Sequence, residues 1–108
     1  MHLTFAAVAV LLAAPAFAAP TNVVMTLEHH RFTPSEVQVP AGEKITIQLI
    51  NRDAATEEFD SHDLKVEKLV TPSGRATFSI GPLQPGAYSF MGEFHPATAQ
   101  GRVIVGAR

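Results

Sequence analysis

Two short segments of this chain gather side chains able to hold a cation. The first is Asn51-Arg52-Asp53-Ala54-Ala55-Thr56-Glu57-Glu58-Phe59-Asp60, rich in oxygen ligands. The second is Met91-Gly92-Glu93-Phe94-His95-Pro96, which ends in an imidazole. Glu57, Glu58, Asp60 and Asp63 fall close together with no Lys or Arg between them. Such a cluster attracts cations; a solvated acidic loop is the plainer account of the same residues. His95 leads the candidate ligands, followed by Glu58 and by Glu93, which would share strand parity with His95. Glu57 and Asp60 are adjacent alternatives, and Glu58 and Asp60 face one way only if their segment is extended. His30 could come from an earlier loop. Met91 is either a soft ligand for copper or an apolar gap-filler. An imidazole among carboxylates suits Cu(II), Fe or Mn better than Cu(I).

Other chemistries are not encoded. The 108 residues include no Cys and no Trp. There is no nucleophile elbow and no Gly-rich phosphate loop. The net charge is −2, so no basic footprint for nucleic acid is present.

The candidate ligands need a frame, and the chain predicts an all-β one. Apolar residues alternate in short runs bounded by Pro and Gly. Val23, Met25 and Leu27 form the first run. Val37 and Val39 follow, then Ile45, Ile47 and Leu49, then Leu64 and Val66. Ala76, Phe78 and Ile80 come next, then Tyr88 and Phe90, and Val103 with Val105 closes the series. Strands at this spacing predict a two-sheet antiparallel Greek-key sandwich. Glu57 to Asp63 stands outside the alternation and reads as an acidic loop, with room for a short helical turn. Both chemistry-bearing segments then follow strands, and loops at one end of a rigid sandwich are where binding concentrates.

Residues 1–18 read as a secretory signal peptide. They hold an apolar run, Phe5 to Leu12, then Pro15 and the small-x-small pattern Ala16-Phe17-Ala18. The run is too short for a permanent membrane anchor. A soluble β domain over residues 19–108, exported to the periplasm without membrane insertion after processing, is the expectation.

The order of motifs resembles the cupredoxins. Phe32-x-Pro34, Val39-Pro40-Ala41-Gly42 and Asn51 are similar to the opening half of that family. Pro85-Gly86-x-Tyr88-x-Phe90, His95 and Gly101-x-Val103-x-Val105 are similar to its closing half. The resemblance implies a sandwich of cupredoxin type. It places Gly92 where blue-copper members carry the Cys ligand, Glu58 where they carry the first His, and His95 at the second His. Thr98, Ala99 and Gln100 stand where the axial Met would follow. Without thiolate, a blue-copper electron carrier is not expected. Glu57-Glu58-Phe59-Asp60-Ser61, Gly81-Pro82-Leu83-x-Pro85-Gly86 and Glu93-Phe94-His95 resemble a narrower group, small periplasmic proteins encoded beside high-affinity iron permeases. That resemblance implies a copper or iron ion, an iron permease or its accessory proteins as partner, and help in oxidising or delivering ferrous iron. Whether the protein is itself an enzyme, contributing ferroxidase activity, stays open. A metal-free module docking a transport component is the alternative.

Overall fold

The computed structural model describes residues 3, 4, 6–9 and 21–107. The expected leader and its boundary at residue 19 therefore lie largely outside the described residues. Nine strands follow in order: β1 Thr21–Glu28, β2 Arg31–Thr33, β3 Glu36–Val39, β4 Ile45–Asn51, β5 Glu57–Ser61, β6 Val66–Val70, β7 Arg75–Ile80, β8 Gly86–Gly92 and β9 Gln100–Val105. They form a four-stranded sheet, β2-β1-β4-β7, and a five-stranded sheet, β3-β9-β8-β5-β6. The described residues contain no helix. The all-β two-sheet expectation holds, with one refinement. Two pairs are parallel, β1 with β4 and β3 with β9. A parallel pair needs a crossover, and here the intervening strands supply it by passing between the sheets.

Alternation explains most of the strands. In β4, Ile45, Ile47, Leu49 and Asn51 are buried while the residues between them are partly exposed. Val37 and Val39 of β3, Met25 and Leu27 of β1, and Val103 and Val105 of β9 complete that pattern. Phe59 lies fully buried at the centre, its ring 4.8 Å from both Phe78 and Phe90 and 6.0 Å from Phe32. Burial of each such side chain stabilises by about 1.5–3 kcal/mol.

Three strands, β2, β5 and β6, were not legible as alternation. β2 is only three residues long. The acidic segment read as loop is instead β5, whose buried positions are Glu57, Phe59 and Ser61. Only one of those three is apolar, so the inward face carries no hydrophobic signal. Leu64 is buried in the turn after β5 rather than in a strand, and β6 begins at Val66.

Side chains extend the pairing of β5 and β8 where their backbones part. The ladder pairs Phe59 with Gly92 and Asp60 with Met91. Beyond it, the Ser61 hydroxyl donates to the Ser89 carbonyl at 2.7 Å. The Asp63 carboxylate accepts from the Ser89 N–H at 2.9 Å and from its hydroxyl at 3.0 Å. Those two donors, with His62 nearby, hold the Asp63 carboxyl below its ordinary value of 3.8. A carboxylate favoured in the folded state stabilises above its unfolded pKa, and that contribution disappears as pH falls through the folded pKa. Asp63→Asn should therefore be less stable than wild type at neutral pH. The difference should begin to shrink as pH falls past the ordinary value of 3.8 and vanish only below the lowered folded pKa, as read by denaturant titrations at stepped pH.

Candidate metal centre

The centre is built outward from Asn51, the last residue of β4. Its side chain is buried, and its amide Nδ2 lies within reach of three carbonyls: Ala55 at 2.9 Å, Thr71 at 3.1 Å and Val70 at 3.3 Å. Its Oδ1 accepts from the Asp53 N–H at 2.9 Å. One side chain thus fixes the loop after β4 against the end of β6.

Asp53, so placed, holds the turn between β1 and β2. That hairpin has two turn residues, His29 and His30, with φ of 53° and 56°. Positive φ at both positions is the type I′ geometry, which favours Asn and Gly. Histidine there is strained. The Asp53 carboxylate offsets the strain by accepting from the His29 N–H at 2.7 Å and the His30 N–H at 3.0 Å. Desolvation acts to raise the Asp53 pKa, but these two N–H groups and the two imidazoles outweigh it and keep the carboxyl below its usual value.

The turn delivers the His30 ring onto His95. The two rings stack with centroids 3.6 Å apart and an interplanar angle of 11°. His95 in turn meets Glu57, with Nδ1 and Oε2 2.6 Å apart. Glu57 is only 1% exposed, and parity with Phe59 in β5 aims it inward. Its Oε1 accepts from the Phe94 N–H at 2.8 Å and the Glu58 N–H at 3.1 Å. The loop carrying Phe94 and His95 is closed at its base by the Gly92 N–H donating to the Ala99 carbonyl. His30, Glu57 and His95 each offer one ligand atom, all within 4.8 Å of one another.

A second group lies on the other side of β5. Glu58, Asp60 and Glu93 place carboxylate oxygens within 4.8 Å of one another. Partial desolvation of Glu58, the Glu93 charge and its hydrogen bond, then Glu67 and Asp60, raise the Glu58 pKa. Met91 is exposed and lies opposite Asp60 in the ladder.

The expected ligands therefore divide. The structure brings His30 and Glu57 to His95. It sets Glu58, Asp60, Glu93 and Met91 apart from them. The expected pairing of Glu58 with His95 does not form, because strand parity turns Glu57 inward and Glu58 outward. The expected common parity of Glu93 and His95 does not arise, because β8 ends at Gly92 and the next residues turn. The sequence reading did not name Asp53 as a working residue. Its signal was present: an Asn-x-Asp after a strand, and two histidines confined to a hairpin turn.

A family model for a cupredoxin-like domain matches residues 2–105. The chain belongs to the cupredoxin-like family. An uncharacterized protein of Rickettsia prowazekii (strain Madrid E) is 44% identical over 84 residues, covering 78% of this chain and 67% of that relative. Among solved structures, auracyanin A, a blue copper protein of Chloroflexus aurantiacus, superposes with a TM-score of 0.68 at 16% identity. The match covers 81% of this chain and 99% of auracyanin A. The metal-binding domain of a Cu(I)-exporting ATPase of Streptococcus pneumoniae, solved with Cu(I), gives the same TM-score at 12% identity, covering 80% of this chain and 85% of that one. Amicyanin of Paracoccus versutus gives 0.60 at 22%, covering 78% and 80%. At these identities the solved structures show the shared cupredoxin fold. That fold is shared with copper-binding proteins.

The residues at this cupredoxin-like centre do not fit a blue-copper ion. That ion needs a thiolate, and the chain has no Cys. They do fit an ion that accepts imidazole and carboxylate together.

The grip of Asp53 on the turn is directly testable. Asp53→Ala removes the acceptor of two N–H groups and should cost about 1–2 kcal/mol. It should also loosen the ring stack. The expected outcome is a downfield move of the His95 ring protons in NMR spectra, as shielding by the His30 ring is lost. Unmoved shifts would contradict this account of the turn.

Proposed function

We propose that this cupredoxin-like protein binds a copper or iron ion through His30, Glu57 and His95. In this reading it is exported to the periplasm and assists ferrous iron, by oxidation or by delivery to an iron permease. The observation that carries the metal reading is the buried Glu57 carboxylate against a half-buried imidazole, with a second imidazole stacked on it. Two imidazoles and a carboxylate are ligands for borderline and hard ions. Such an ion would be bound and positioned at the mouth of the sandwich; the chain's own residues orient His95 and His30. The iron setting is supported by the acidic and Glu-Phe-His motifs, and export by the apolar leader ahead of a small-x-small site.

Calorimetry of the purified protein with Cu(II) and with iron ions tests the metal reading. Binding tighter than about 100 μM, or roughly −5.5 kcal/mol, is expected. His95→Ala should weaken it at least tenfold. Absence of binding to every ion would sink the proposal. Oxygen consumption with Fe(II), compared between wild type and His95→Ala, tests the ferroxidase possibility; equal rates remove an enzymic role for this site.

A second reading, a metal-free docking module, is favoured by exposed Leu69, Met91 and Phe94. Under it, His30→Ala with His95→Ala would leave permease-dependent iron uptake intact. Loss of uptake with the fold preserved would exclude it.

A further inference from the structure

Gly92 has a specific neighbour. A Cβ built on it would lie 2.7 Å from Glu57 Cδ, 2.9 Å from Glu57 Oε1 and 2.7 Å from Ala99 Cβ. Real Cβ atoms essentially never come closer than 3.0 Å to such neighbours. Conformation is not the reason for glycine here. The positive-φ glycines are Gly42, Gly81 and Gly86, and Gly92 is not among them. Gly92 sits in an ordinary strand, opposite Phe59. What it supplies is space, and the Glu57 carboxylate fills that space.

Glu57 has little freedom to step aside. Its Oε1 is held by two backbone N–H groups and its Oε2 by the His95 ring. An outward turn would leave the Phe94 N–H unpaired and expose a void against Ala99, which is fully buried. A buried donor without an acceptor is costly.

We infer that Glu57 and Gly92 act together as the element that selects the class of ion at this centre. The anionic oxygen stands where a side chain at 92 would have to stand, so the two are mutually exclusive. A thiolate at 92 and the Glu57 carboxylate cannot be ligands in the same molecule. This chain offers the carboxylate, and so favours divalent copper or iron over Cu(I), which prefers sulfur. The selection rests on the proposal that His30, Glu57 and His95 hold a metal ion.

Two experiments test it, one without metal. The metal-free arm compares the unfolding of wild type, Gly92→Ala, Glu57→Gly and the double variant. Gly92→Ala should destabilise the wild-type background clearly, and at least half of that loss should vanish when Glu57 is Gly. The contact with Ala99 is present in both backgrounds and cancels in the cycle. An equal loss in both backgrounds overturns the inference. The metal arm uses Glu57→Gln, which keeps the shape and removes the charge, and it decides the matter if Glu57→Gly does not fold. Cu(II) affinity should fall at least tenfold, while Cu(I) affinity, read by chelator competition, should stay within about threefold. An equal fall for both ions overturns the selection. A wild-type protein that takes up neither copper nor iron ions overturns the metal reading itself and the selection with it; a cycle without coupling overturns the selection alone.

Discussion

A buried carboxylate is the constraint around which this end of the sandwich is arranged. An ion taken from water into a protein interior loses several kcal/mol unless donors replace its hydration. Glu57 receives three: the N–H groups of Phe94 and Glu58, and the His95 ring. Each comes from a different structural decision. The Glu58 N–H comes from β5 itself. The Phe94 N–H comes from a loop tied at its base between Gly92 and Ala99. His95 comes one residue later in the same loop. The space comes from a missing side chain at 92. Shifting any of these would leave a charge in the interior without its partners.

The second imidazole arrives by a longer route. Asn51 holds Asp53, Asp53 holds the two N–H groups of a strained hairpin turn, and the turn holds His30 over His95. Polar side chains bonded to backbone groups carry the links from Asn51 to the turn, and the ring stack completes the path. Such links are directional and short, so they fix the height and tilt of the ring far better than apolar packing would. The outer carboxylates lack an arrangement of this kind. Glu58, Asp60 and Glu93 share one surface, but the pKa of Glu58 is raised there rather than lowered. Partial desolvation leads, and the neighbouring carboxylates of Glu93, Glu67 and Asp60 add to it.

Where apolar residues alternate, the fold could be read from the sequence. β1, β3, β4, β7, β8 and β9 all announce themselves by period two, and β4 shows it over its whole length. β5 does not, because its inward positions are Glu57, Phe59 and Ser61. A carboxylate on an inward face looks, in sequence, like an exposed one. That is why the acidic segment reads as a loop and why Glu58 stands ahead of Glu57 as a ligand candidate. Had the segment been taken as a strand, parity with Phe59 would have named Glu57. His95 and His30 were legible as candidates from residue type and place. Asp53 was not, since its work is on backbone N–H groups that no motif displays. The parallel pairs were hidden for a different reason: alternation reports which face a residue takes, not the direction of the neighbouring strand.

The ring stack also joins two layers. His30 belongs to the hairpin of the four-stranded sheet, while Glu57 lies in the five-stranded one and His95 in the loop joining its β8 and β9. Many small domains close such a seam with a covalent bond between sulfurs. This chain has no sulfur to spend that way. Its nearest equivalent at this end is a pair of face-to-face imidazoles, a reversible fastening across the sandwich. Whatever occupies the space beside those rings would grip both layers at once, and so register as rigidity far from the point of contact.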